Sequence, residues 1–198
     1  MTWKLVIILA IASAVFSAIG LIVPALKTTS FSDPGTYLDI WFVFAIFIIM
    51  NCKSPKEAAI KTFVFFLISQ PLIYLIQVPF SWQGFGLFQY YPRWFAFTVA
   101  TLPGAVIAYQ IKKQNWLSVA ILSVANVYFA LAGASYTHRA INNLPKTGIP
   151  NHALSAVFCM AAAIALSFTL FDQKKHKIVA AAIPICAYIA FYAAGITF

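Results

Sequence analysis

Residues 54–94, SPKEAAIKTFVFFLISQPLIYLIQVPFSWQGFGLFQYYPRW, determine how the rest of the chain is read. Ser54-Pro55-Lys56-Glu57 has the form of a helix start. The Ser54 hydroxyl can accept from the N–H three residues on, Glu57 can reach back, and proline suits the first helical position. From Pro55 the sequence continues largely apolar through Pro71 to Val78, long enough at about 1.5 Å per residue to cross about 30 Å of hydrocarbon. A membrane-spanning helix is expected over 55–78, with its basic end in water.

Within that span Gln70, Tyr74 and Gln77 share one face, because at about 100° per residue they fall inside an arc of about 60°. Pro71 lacks an N–H and crowds the carbonyl one turn back, so the helix is expected to kink beside Gln70 and to free an acceptor there. Side-chain amides between membrane helices commonly bond each other, and lining a solute site is the alternative use of such a face. Beyond the kink, Phe80, Trp82, Phe85, Phe88, Tyr90, Tyr91 and Trp94 place seven aromatics in fifteen residues, loosened by Gly84 and Gly86. Rings of this kind favour the headgroup layer, which gives an interfacial aromatic belt or, alternatively, a lid over a cavity mouth.

Composition agrees with a chain that lives in lipid. Of 198 residues 63% are hydrophobic and 9% charged, with a mean hydropathy of +0.89, and such a chain exposed to water would present a very large apolar surface. The formal charge of +9 does not point to nucleic acid, since the thirteen basic residues are scattered between apolar spans; anionic lipid headgroups are the expected partners. Cys52, Cys159 and Cys186 have neither metal-ligand spacing nor an even count, so they read as unpaired packing residues.

Seven spans are expected in order: Leu5 to Leu26, Tyr37 to Met50, Pro55 to Val78, Pro92 to Ile111, Trp116 to Gly133, His152 to Phe171 and Ile178 to Phe198. The first carries Ala10, Ala14 and Ala18, a stripe that lets another helix approach closely. Its length exceeds a usual signal-peptide core, so it is expected to be retained, although Ala12-Ser13-Ala14 resembles a cleavage site. Thr36 and Asp39 have capping-box spacing for the second span. The fourth is expected to be broken by Pro103-Gly104, a second kink like that at Pro71, and Asn126 should sit near the bilayer centre in need of a partner. Tyr188 and Pro184 give the last span a polar and a kinked point. Residues 134–150 are expected to form a solvated loop carrying His138 and Arg139.

Basic residues accumulate on the cytoplasmic side of membrane proteins. An inside amino terminus collects Lys4, Lys53, Lys56, Lys61, Lys112, Lys113, Lys174, Lys175 and Lys177, nine residues, and leaves Lys27, Arg93, Arg139 and Lys146 outside. The carboxyl terminus then lies outside, and Arg93, His138 and Arg139 form an outer basic face.

Catalytic chemistry finds little support. Gly133-Ala134-Ser135 superficially resembles the Gly-x-Ser of rhomboid proteases, but Tyr136 follows and no matching histidine helix motif appears. His138, His152 and His176 are far apart in sequence and do not form a metal set, and neither phosphate-cradling glycine motif occurs, so no cofactor is expected. Size, multiple spans and the Ala-x-x-x-Ala stripe resemble the substrate-binding subunits of energy-coupling-factor vitamin transporters, which implies a solute-binding membrane subunit working with a partner subunit.

The sequence therefore predicts one all-α, polytopic integral membrane domain over 1–198, in the plasma membrane. Its expected function is small-solute transport, alone, as a homo-oligomer or as a binding subunit. Gln70, Tyr74, Gln77, Asn126 and Tyr188 are the expected polar site. A structural or assembly protein without a ligand is the alternative, ahead of an intramembrane enzyme with no identifiable catalytic residues.

Overall fold

The computed structural model describes residues 1–148 and 151–196, and among these the chain is all-helical, without strands. Its helices are α1 (Trp3–Ile22), α2 (Asp39–Met50), α3 (Pro55–Gln77), α4 (Tyr91–Ala108), α5 (Trp116–Thr147), α6 (Ala153–Leu170) and α7 (Lys174–Ala193). Six of them, all but α2, are long and apolar enough to cross a membrane. The chain falls into two compact units, Met1–Tyr109 and Gln110–Phe198.

In the first unit α3 is the central helix, with α1 and α4 packed on it. It starts as the sequence predicts: the Ser54 hydroxyl accepts from the Glu57 N–H at 3.2 Å, while the Glu57 carboxylate accepts from the Lys53 N–H, one residue before the cap. The small stripe of α1 serves its expected purpose, with Ala10, Ala14 and Ala18 fully buried beside Ser13 and Ser17. The opposite side of α1 exposes Ile8, Ile11, Val15 and Ile19, a surface suited to lipid. Further in, Trp41 of α2 meets Phe65 and Phe66 of α3 with ring centroids 5.9 and 6.0 Å away, and its indole N–H donates to the Pro34 carbonyl.

Both ends of this unit are fixed by polar contacts. At one end the buried Lys61 ammonium pairs with Glu57, donates to the Met1 carbonyl and lies 5.4 Å from the centre of the Trp3 ring. The Met1 ammonium donates to Asn51, and the Tyr109 hydroxyl donates to the Lys53 carbonyl. Lys4, Lys53, Lys56 and Lys61 thus gather at the end where α1 and α3 begin and α4 finishes. At the other end the Ser17 hydroxyl reaches the Pro34 carbonyl, and Gly20 lies so close to the Phe31 backbone that a Cβ would stand 1.9 Å from its carbonyl oxygen.

The second unit is built on α5, which packs on both α6 and α7. Asn115 and Ser118 form a reciprocal capping box at its start. Gln114, at φ +56°, accepts from the Asp172 N–H and donates to the Leu170 carbonyl, tying the α6–α7 connection to the start of α5.

Several local expectations are corrected. The second span, expected from Tyr37 with Thr36 as its cap, starts two residues later, as a helix of 12 residues about 18 Å long. The Thr36 hydroxyl turns back to the Ser32 carbonyl, Leu38 takes the cap position, and Asp39 lies inside the first turn. The loop expected over 134–150 is helical as far as Thr147: Gly133 packs against α6 instead of ending α5, and the stop is Gly148 in the left-handed region, whose N–H bonds Leu144. His138 and Arg139 are therefore helical residues, half-buried rather than solvated. α7 begins one turn early, which places Lys174, Lys175 and Lys177 inside it. Both α3 and α4 continue through Pro71 and Pro103, so neither is broken; a proline removes one bond of the ladder and leaves its neighbours. Ile149, Pro150, Thr197 and Phe198, within the expected connection and last span, lie outside the described residues.

The two glycines with opposite surroundings give a direct test. Gly20→Ala should destabilise the protein by about 1–3 kcal/mol, since its methyl meets fixed backbone. Gly104→Ala, with nothing within 4 Å of the added carbon, should be neutral or gain up to about 1 kcal/mol. Thermal unfolding of both variants in detergent checks the pair, and equal losses would contradict the close approach at Gly20.

Candidate functional site

Hydroxyl groups on membrane helices have a local way to satisfy themselves, bonding a carbonyl three or four residues back. Several buried or half-buried examples among the described residues do so. Thr98 bonds Trp94, Ser123 bonds Val119, Thr137 bonds Gly133 and Ser167 bonds Ala163, all at 2.7–2.9 Å. Thr62 and Ser69 of α3 do not: both hydroxyls are buried without a hydrogen-bond partner, and so is the Gln70 amide nitrogen. These three residues lie on the buried side of α3, among Ala58, Phe65, Phe66 and Ile73, and Gln70 is 2% exposed.

One turn beyond Gln70, Tyr74 is half-buried, with its ring 5.6 Å from Phe88 and 6.3 Å from Tyr91. The aromatic stretch is not irregular: Val78–Phe80 and Gly84–Tyr90 are 3-10 turns, while Tyr91 and Trp94 open α4. Its rings divide into two groups. Phe88 and Tyr91 turn in toward Tyr74, whereas Phe80, Phe85 and above all Trp82, 92% exposed, turn out. Gln77, at the end of α3, donates to its own helix at the Ile73 carbonyl, 3.0 Å away.

Asn126 and Tyr188 belong to the second unit. Fully buried on α5, Asn126 donates through Nδ2 to the Ser167 hydroxyl of α6 at 3.0 Å and to the Ala180 carbonyl of α7 at 3.1 Å, while Oδ1 has no partner. One side chain thereby joins three helices. Tyr188 bonds the Thr137 hydroxyl at 2.9 Å and stacks on Tyr192, whose other neighbour is His138, with centroids 4.6 Å apart. His138 also reaches the Tyr192 carbonyl, near the end of α7. Arg93 is exposed in the first turn of α4. Pro71 is half-buried beside Gln70, whereas Pro103 is exposed on the surface of α4.

Sequence reasoning found Gln70 but missed Thr62 and Ser69. Their positions seven residues apart place them on one face, but a hydroxyl in a helix normally bonds its own backbone, and only the structure distinguishes those that do not. Besides Asn126 Oδ1 within α5, the other buried polar atoms without partners among the described residues, on Gln83, Gln110 and His176, lie in short turns or at helix ends. Among the described residues no group of three His, Cys, Asp or Glu side chains is placed to hold a metal ion.

The bonds of Asn126 and Gln77 predict stability losses of different size. Asn126→Leu removes two interhelical bonds of about 0.6 kcal/mol each and should cost roughly 1–2 kcal/mol. Gln77→Leu removes a bond within one helix and should cost less than about 0.5 kcal/mol. Unfolding midpoints measure the difference.

No family model, curated protein or solved structure matches this chain.

Proposed function

We propose that the protein handles a small solute, as a transporter or as the substrate-binding membrane subunit of one, in the plasma membrane. The observation that carries this is Gln70, a side chain near the middle of an apolar helix, buried, with an amide N–H that meets no acceptor. Leaving such a group unpaired costs about 1–3 kcal/mol, which a bound solute or water would recover. Tyr74 and the inward rings Phe88 and Tyr91 lead from Gln70 toward the aromatic turns, the natural access route from one membrane face. Lipid is the surrounding partner, with anionic headgroups against the lysine-rich ends.

The same proposal takes seven crossings, with the amino terminus cytoplasmic and the carboxyl terminus outside. Although α2 is short, it turns the chain back. Its leading end lies at Pro34, which Ser17 of α1 contacts, and its trailing end at Asn51, which Met1 contacts. Nine basic residues against four then favour a cytoplasmic start.

A second reading, a structural or assembly protein, is favoured by Asn126, whose donors are taken up between helices as interhelical glue would be. The two differ at Gln70. In a ligand screen by thermal shift on purified protein, a stabilising small molecule should lose its effect in Gln70→Leu, with affinity weakened about five- to a hundredfold while the fold remains intact. A complete screen without a hit, together with a Gln70→Leu variant more stable than the parent, would favour the structural reading. Topology is checked separately. In a cysteine-free background, cysteines at Lys113 and Lys175 should label only from the cytoplasm and one at Asn143 only from outside; labelling of Asn143 from the cytoplasm would overturn the arrangement.

A further inference from the structure

A proline inside a helix has no N–H for the ladder, and its ring crowds the carbonyl four residues back, so that carbonyl is left to other donors. Pro71, Pro103 and Pro145 do this to Leu67, Val99 and Ile141, residues that are exposed on their helices. Pro184 of α7 does it to Ala180, and both of these residues are buried. A carbonyl freed in the interior needs a donor from within the protein. Asn126 supplies it, with Nδ2 placed 3.1 Å from the Ala180 oxygen across the gap between α5 and α7. The carbonyl can only accept, so the amide nitrogen and not Oδ1 must face it. Pro184 and Asn126 are therefore two halves of one arrangement, although they are far apart in sequence.

The missing bond divides α7. Before it, residues 174–183 are anchored by His176, buried against the Trp116 and Phe171 rings at centroid distances of 4.7 and 5.8 Å. Beyond it, the 185–193 arm meets α5 toward its far end, where the Tyr188 hydroxyl pairs with that of Thr137 and the Tyr192 ring stacks on His138. At the division, Asn126 holds the Ala180 carbonyl turned toward α5, and with it the opening between the Ala180 and Pro184 turns that sets the angle of the arm. Its hold is incomplete. Oδ1 stays buried without a partner, so the bonded state carries the cost of an unmet acceptor, which lowers the cost of leaving it. We infer that Pro184 is a hinge in α7 and Asn126 its latch: the arm is still while Nδ2 holds the Ala180 carbonyl and moves against α5 when it lets go. The hinge needs no solute, and it stands independently of the solute-handling proposal.

Spin labels read the two parts of α7 separately, because Cys186 is exposed just beyond the hinge and Ile178 is exposed before it. In the full chain in lipid, with the other cysteines replaced by alanine, a nitroxide is attached at Cys186 or, with Cys186→Ala, at Ile178→Cys. Asn126→Leu should raise the ratio of mobile to immobile label at 186 about threefold, the factor that one interhelical hydrogen bond is worth in membranes, and leave the ratio at 178 unchanged. Adding Pro184→Ala, which restores the ladder bond, should abolish the rise. Ser167→Ala, which removes the other partner of Nδ2 and spares the Ala180 bond, should not produce it. Should Asn126→Leu not fold, Asn126→Ser, too short to reach Ala180, takes its place. No rise at 186, equal rises at 178 and 186, or a rise that persists with Pro184→Ala would make Asn126 an ordinary interhelical bond and overturn the hinge. A rise in Ser167→Ala as large as in Asn126→Leu would overturn the latch at Ala180.

Discussion

Hydrocarbon cannot hydrogen-bond, so every polar group carried into it must be answered by the protein itself or by something the protein holds. That constraint determines the helices, because only an intra-segment ladder satisfies the backbone at membrane depth. It also determines what the polar side chains do. Asn126 extends across a helix gap to Ser167 and Ala180, Trp41 donates to Pro34, and the Thr98 and Ser167 hydroxyls fold back onto their own helices. Against that background the unsatisfied row on α3 is a departure with a location.

The constraint also accounts for how the first unit is assembled. Helices in lipid gain nothing from burying apolar surface against each other, so close packing and polar contacts must hold them. Ala10, Ala14 and Ala18 bring α1 against α3, and Gly20 extends the approach to the Phe31 backbone. The Lys61 ammonium then fixes the start of α1 beside the start of α3. It is a buried charge, and it is tolerated because a carboxylate, a carbonyl and an indole ring surround it.

Much of this was legible in the residues. The Ser54-Pro55 start, the Asn115 cap, the alanine stripe and the apolar runs each rest on local rules, and the helices of 55–77, 91–108 and 153–170 appear nearly where those rules put them. Misreadings occurred where tertiary contact outweighs local preference. Gly133 looked like a helix end, but its missing side chain lets α5 pack on Cys159 and Met160 and continue. Thr36 had the spacing of a cap, yet its hydroxyl had a nearer acceptor at Ser32. Within the candidate site, Gln70 was visible because an amide inside an apolar run is rare; Thr62 and Ser69 were not, because hydroxyls there are common and usually self-satisfied.

The two functional readings differ in what they ask of that face. If α3 served only to pack, alanine or valine at 62 and 69 and leucine at 70 would fill the same space without unmade hydrogen bonds, each of which costs about 1–3 kcal/mol. Set against a total stability of about 5–15 kcal/mol, three such groups are a large burden for packing alone. Asn126 illustrates the packing solution, with its amide donors taken up between neighbouring helices. Gln70 has no such arrangement, although α1 and α4 pack against the same helix and Thr98 is buried on α4. On the proposed solute-handling reading, this face of α3 is left open to hydrogen bonding for an occupant rather than closed by a neighbouring helix.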